Sequence, residues 1–283
     1  MATGAALATL AAMGHGKIAF IGGGNMANAL IGGLVQAGQA PADIVVVEPF
    51  EAQRTKLAQA FGIAPLAAAD AALAGATTVV WAVKPQLFAE AAAPCARFVA
   101  GALQLSVMAG IRSDALVRAS GSRRVVRAMP NTPALIGRGI AGLYARPEVG
   151  AAERAAVEAL LAPTGQTLWV GKEADLDAVT AVSGSGPAYL FYLVEAMIDA
   201  ATQIGLSPEQ GRRLALATVD GAAALALGSP LHPAELRAQV TSRGGTTHAA
   251  ISALEADGVK AAFVRAIGAA HRRAQELGDE FGA

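Results

Sequence analysis

The stretch Lys17-Ile18-Ala19-Phe20-Ile21-Gly22-Gly23-Gly24-Asn25-Met26-Ala27-Asn28-Ala29-Leu30-Ile31-Gly32-Gly33 decides the fold. A short apolar run, Ile18 to Ile21, is stopped by three glycines. A helical pattern begins at once, with Met26, Leu30 and Leu34 at fours and Ala27 and Ile31 beside them. The order is strand, tight turn, helix. Gly22, Gly24 and Ala27 fit Gly-x-Gly-x-x-Gly/Ala, the dinucleotide fingerprint. Gly22 allows the turn, Gly24 lets a pyrophosphate approach the backbone, and Ala27 lets the helix pack close to the strand. The phosphates are expected at the helix N-terminus, near Gly23, Asn25 and Met26. A plain tight turn is the competing reading, and the placement between strand and helix favours the nucleotide site.

Outward from that turn, the chain has 283 residues, room for about two domains. Apolar residues make up 54% and charged residues 16%, so a large buried core is expected. Lys plus Arg and Asp plus Glu number 22 each, and this balance points to neither a nucleic-acid nor a membrane-surface partner. The single cysteine, Cys95, excludes an internal disulfide framework and is read as packing. His15, His232, His248 and His271 lack ligand spacing, so no metal is expected. The first sixteen residues carry no Lys or Arg ahead of an Ala-rich run, which argues against a secretory signal. They are expected to be a disordered extension. No apolar stretch makes a convincing membrane span, and a cytoplasmic protein is expected.

Further strands are predicted at Ile44 to Val47, Thr77 to Val83, Leu103 to Val107, Val125 to Met129, Gly139 to Tyr144 and Gln166 to Val170. A weak one is predicted near Ile63 to Leu66. Helices are expected at Glu51 to Ala60 and Glu153 to Leu161. Strands alternating with helices predict a doubly wound, mostly parallel α/β sheet, a Rossmann-type domain over residues 17–172. Glu48 stands where an acid grips the adenosine ribose hydroxyls, whereas Arg54 stands where a cation meets a 2′-phosphate, so NADH and NADPH both stay open. Ala82, Val83, Lys84 and Pro85 end one strand, at the edge where ligands gather, with Lys84 as either a site residue or a solvated turn lysine. Met108, Ala109 and Gly110 are small enough to admit a ligand. Pro130 and Pro133 fix the loop that carries Asn131.

Past Glu173 the pattern is helical almost throughout, predicting an all-helical domain over residues 173–283. The helices holding Tyr189 to Ile198 and Leu214 to Leu227 are apolar on most of their surface. Such helices lie at the centre of a large domain or at a subunit interface. Here they predict a homodimer with paired helices about a two-fold axis. Late in this region, Val240-Thr241-Ser242-Arg243-Gly244-Gly245-Thr246-Thr247-His248 opens a helix. Its hydroxyls could simply cap that helix. A glycine pair among four hydroxyl residues also offers backbone N–H groups and hydroxyls for a small carboxylate. His248 and His232 are read as a solvent-facing helix-start residue and a turn residue.

Five motifs give the chain a family resemblance. They are Ile21-Gly22-Gly23-Gly24-Asn25-Met26-Ala27, Ala82-Val83-Lys84-Pro85-Gln86, Met129-Pro130-Asn131-Thr132-Pro133, Val182 to Tyr189, and Val240 to Thr247, the last being the most specific. On these the chain resembles the pyrroline-5-carboxylate reductases. The resemblance implies a Rossmann-type domain followed by a helical dimerisation domain. It also implies reduction of 1-pyrroline-5-carboxylate to L-proline with NADPH or NADH, in dimers that often assemble as pentamers of dimers. It places the Thr247 hydroxyl on the ring nitrogen, and Ser242, Gly244, Gly245 and Thr246 at the substrate carboxylate. It puts Ala82 to Pro85, Ala109, Gly110 and Asn131 near the cofactor, and Ser185, Gly186 and Pro187 at the domain junction. Arg243 stands where many relatives have proline. Two other readings compete. A β-hydroxyacid dehydrogenase needs a lysine on the first long helix after the nucleotide domain, and none occurs between Lys172 and Lys260. The other is a dinucleotide sensor without catalysis.

Overall fold

A computed structural model describes residues 16–282. The expected N-terminal extension lies outside the described residues apart from Gly16. The chain separates into two compact units, one running to Ser185 and taking in Ala270 onward, the other Gly186–Ala269.

The first unit is built on seven strands. β1 (Ile18–Ile21) leads into α1 (Asn25–Gln36), and β2 (Ile44–Val47) into α2 (Glu51–Phe61). β3 (Thr78–Trp81) is followed by the short helices α3 (Phe88–Ala92) and α4 (Ala96–Val99). β4 (Leu103–Ser106), α5 (Ser113–Ser120), β5 (Val125–Met129), β6 (Gly139–Ala145), α6 (Ala151–Leu161), β7 (Gly165–Trp169) and α7 (Asp175–Val179) complete the series. The sheet order is β2-β1-β3-β4-β5-β6-β7. β1 to β5 are parallel, β6 runs antiparallel to β5, and β7 runs parallel to β6. The chain reverses its winding direction between β1 and β3, the crevice where doubly wound folds bind ligands.

Because helices cover both faces, β1 and β2 are apolar at every position rather than alternately. Ile18 and Phe20 face one core with Ala27, Leu30, Ile31 and Leu34 of α1, while Ala19 and Ile21 face the other with Trp81, Cys95 and Leu116. The α1 residues recur at helical spacing, which puts them on one buried stripe. The weak strand expected at Ile63 to Leu66 shrinks to one bridge, Leu66 opposite Val47. Leu66 makes both of its backbone bonds there: its N–H donates to Val46 O and its carbonyl accepts from the Glu48 N–H.

The second unit is helical: α8 (Gly186–Gln203), α9 (Pro208–Leu227), α10 (Pro233–Gln239), α11 (Thr246–Ala256) and the first part of α12 (Val259–Gly282), to Ala269. Ser207 and Gln210 form a capping box at the start of α9. The expected turn residue His232 has a more definite role: its Nδ1 accepts from the Ala234 N–H and caps α10. Within this unit Tyr189 and Phe263 meet edge to face, with centroids 5.8 Å apart. Among the described residues, no helix is long and apolar enough to cross a membrane.

Candidate active site

The glycine turn sits at the sheet's reversal point, and Gly22 there has no room for a side chain. Gly22 has φ +97°, and a Cβ on it would lie 2.6 Å from the Ala82 carbonyl oxygen. Its N–H donates to Val47 O at 2.9 Å, while Ala82 N–H donates to Ile21 O at 2.8 Å. Three strand ends are thereby drawn together. A Cβ on Gly23 would strike Leu57 Cδ1 at 2.6 Å, whereas one on Gly24 would meet nothing within 4 Å. Gly24 is the N-cap of α1, and no side chain caps it. The first-turn N–H groups of Asn25, Met26 and Ala27 are therefore left for an anion. Ala27 is fully buried, so its side chain serves packing alone.

A cleft of about 440 Å³ opens beside this turn. Gly22, Gly23 and Gly24 form part of its lining with Glu48, Pro49, Phe50, Gln53 and Lys56 from the end of β2 and the start of α2. Ala82, Val83, Lys84 and Leu87 contribute from the end of β3. Lys84 is exposed there, immediately before the short 3-10 turn Pro85–Leu87. The Glu48 carboxylate is buried. Its Oε2 accepts from Gly23 N–H and its Oε1 from Phe50 N–H, both at 2.9 Å. Arg54 Nη1 donates to the Glu48 and Pro49 carbonyls at 2.9 and 2.7 Å. An uncapped helix start, an open glycine and a carboxylate at the next strand end fit the pyrophosphate and ribose of a dinucleotide.

Asn131 and Gly110 have structural partners that sequence reasoning missed. Asn131 Nδ2 donates to Ser183 O at 3.2 Å, and its Oδ1 accepts from Ile140 N–H at 3.0 Å. Hydrogen bonds, beyond the flanking prolines, thus hold its side chain. They tie the Met129 to Pro133 loop to a π-helical turn, Thr180–Gly184, at the end of the first unit. Gly110, next to Ala109, has φ +76°, and a Cβ on it would lie 3.2 Å from Leu277 O and 3.3 Å from Phe281 Cδ2. The small residue admits the chain's own last helix. A further network escaped the sequence reading. Arg127 lies in the middle of β5, 4% exposed, and donates to Glu173 at 2.8 Å. Glu173 also accepts from the Ser113 N–H and hydroxyl, both at 2.6 Å, while Arg112 forms a paired bridge to Asp177. Burial pushes the Glu173 carboxyl up, but the Ser113 and Arg127 donors outweigh it and hold the group below its ordinary value. The signal was available: an arginine inside an apolar strand needs a carboxylate from elsewhere in the chain. Cys95 is buried, which pushes its thiol up to about 11. An elevated thiol of this kind holds little thiolate.

The remaining candidates belong to the helical unit. The hydroxyl-cap reading of Val240 to His248 is corrected: Gly245 is the N-cap of α11, and no side chain caps it. Thr241 Oγ1 instead donates back to Arg237 O at 2.6 Å and closes α10. Gly244 takes φ +76°, and a Cβ on Gly245 would meet Ser242 Oγ at 2.7 Å. Ser242, Thr246 and His248 are exposed and Thr247 is half-buried. The start of α11 thus presents free N–H groups beside hydroxyls, suited to a carboxylate. Gly22 to Gly24, Glu48 and Ala82 to Lys84 gather round one cleft, whereas Ser242 to Thr247 lie in the second unit.

Comparison with known proteins adds to this geometry. Residues 173–277 match the family described as pyrroline-5-carboxylate reductase dimerisation, and residues 17–110 match NADP oxidoreductase coenzyme F420-dependent. The chain is 47% identical over 270 residues to the pyrroline-5-carboxylate reductase of Pseudomonas aeruginosa, covering 94% of this chain and 98% of that protein. It is 38% identical over 268 residues to the enzyme of the same name from Haemophilus influenzae, covering 94% and 98%. Among solved structures, the Coxiella burnetii pyrroline-5-carboxylate reductase superposes with a TM-score of 0.86 at 35% identity, covering 93% of this chain and 98% of that one. A Plasmodium falciparum pyrroline carboxylate reductase with NADP bound superposes with a TM-score of 0.83 at 27% identity, covering 94% and 99%. On likeness of this extent, carried by both halves of the molecule, the chain belongs to the pyrroline-5-carboxylate reductase family.

Proposed function

We infer that this chain reduces the C=N bond of 1-pyrroline-5-carboxylate to give L-proline, using NADPH or NADH. The observation that carries the reading is the near-full-length match to reductases of that name. A glycine-turn cleft at the sheet's reversal point agrees with it. The nucleotide domain is taken as residues 17–172 and the helical domain as 173–283.

Bound NAD(P)H supplies a hydride to the imine carbon. The chain's own residues bind, orient and protect. Gly22 to Gly24 and the first turn of α1 hold the pyrophosphate, and Ala82 to Pro85 shape the adjoining wall with Lys84. Ala109 and Gly110 lie near the cofactor, and Asn131 acts there through the loop it fixes. The backbone around Gly244 to Thr246 takes the substrate carboxylate with Ser242, through N–H groups other than that of Gly245, which already donates to Ser242 O at 3.0 Å. The Thr247 hydroxyl hydrogen-bonds the ring nitrogen, which takes or already holds the proton that balances the hydride. A protonated imine is already electrophilic, so positioning is most of the work and no strong acid is required. The helical domains pair in a homodimer with interlocked helices, and five such dimers assemble further as a pentamer of dimers in the cytoplasm.

The test is to add 1-pyrroline-5-carboxylate to protein and reduced nicotinamide and follow loss of the reduced form. Thr247→Ala is expected to lower kcat about 100-fold, the scale of one lost oriented donor. The cofactor Kd should stay within about 2-fold, well under the tenfold that 1.4 kcal/mol represents. An unchanged kcat would remove Thr247 from the reaction.

A further inference from the structure

We propose that Glu48 makes this chain select NADH over NADPH. The inference rests on the dinucleotide reading above and settles what the sequence left open between Glu48 and Arg54.

The carboxylate at the end of β2 lines the cleft beside the glycine turn and is only 6% exposed. Each oxygen accepts one backbone N–H, from Gly23 and from Phe50. A carboxylate has about four acceptor sites, so roughly one remains on each oxygen. Two free acceptors on a fixed carboxylate match the two donors of a ribose 2′,3′-diol. Phe50 and Leu87, exposed apolar side chains lining the same cleft, offer surface to a flat base next to that ribose. A 2′-phosphate in the same place cannot donate and brings about 1.5 to 2 negative charges against the carboxylate.

Three cations stand near, Arg54, Lys56 and Lys84. Arg54 directs Nη1 onto the Glu48 and Pro49 carbonyls, which braces the loop that carries Glu48. Lys56 and Lys84 line the cleft but are exposed, so water and salt weaken their attraction for a phosphate. The buried, anchored carboxylate is the stronger determinant.

NADH and NADPH should be titrated separately into protein without substrate, following nicotinamide fluorescence, for wild type and for Glu48→Gln. Wild type is expected to bind NADH at least ~10-fold more tightly, given a charge clash in a partly desolvated cleft. Glu48→Gln keeps an acceptor oxygen and loses the charge, so NADH weakens, NADPH tightens and the ratio falls to within ~3-fold. Equal or tighter NADPH binding by wild type overturns the proposal, whatever the variant does. Equal losses for both nucleotides in the variant would make Glu48 only a brace for the turn, and overturn it too. If neither nucleotide binds wild type, the dinucleotide reading itself fails. A preference for NADPH refutes only the role of Glu48. Competition of NADH by 5′-AMP and by 2′,5′-ADP on wild type supplies the same ratio if Glu48→Gln does not fold.

Discussion

The two units are both rich in apolar residues but bury them differently. In the sheet unit, Ile18, Phe20, Trp81 and Leu105 are completely enclosed by helices of the same chain. In Gly186–Ala269, only Val194 and Ala215 are buried among the described apolar residues. There Phe191 is 61% exposed, Leu225 62% and Tyr192 73%. An apolar residue must leave water, but nothing requires its own chain to cover it. A doubly wound sheet closes over itself, whereas helices apolar nearly all round need a second copy.

The strongest way to break this contrast is to charge the exposed helix face. Phe191→Asp is expected to raise the dimer dissociation constant roughly 1000-fold or more, because an unpaired carboxylate would be buried. Sedimentation should then show monomers without reductase activity that still bind the dinucleotide. A stable dimer would mean that this face is not the interface. The converse change is Gly22→Ala, which strains φ +97° and drives a methyl group against Ala82 O. It should cost about 3 kcal/mol, read as roughly 100-fold weaker cofactor binding or a lowered Tm, with the dimer mass unchanged. The smallest effect concerns the Arg127–Glu173 network. Glu173 lies below its ordinary 4.5 when folded, so the stability it contributes is fully present above that pH. That stability is lost as pH falls through the folded value. Below about pH 4.5 the Tm should therefore fall, and Glu173→Gln should flatten that part of the profile.

Much of the cofactor half was legible in the sequence. β1 ending in glycines, then an i, i+3, i+4, i+7 stripe, is a local pattern, and it places the turn without reference to anything distant. The all-round apolarity of α8 and α9 was equally local and pointed to a partner. The Val240 to Thr247 loop was visible as a motif, but its helix cap was not, since spacing alone cannot choose between Gly245 and a neighbouring hydroxyl. What stayed hidden depends on residues far apart in the chain. Arg127 meets Glu173, Asn131 meets Ser183, and Gly110 meets Leu277 only after the sheet and the last helix are in place. Glycines in a helix were one available hint. A Cβ on Gly278 would fall 2.1 Å from the Arg112 guanidinium, so that position is small because another element lies across it.

The return of the chain to its first unit after Ala270 has a consequence for synthesis. The sheet is finished at Trp169, yet the surface around Gly110 and Arg112 is covered by residues from Leu277 onward. A ribosome must therefore release the whole helical segment before the cofactor unit can close. Domains made in sequence usually fold in that order. Here the first to begin is among the last to finish, and its open patch waits until Leu277 and the residues after it have been made.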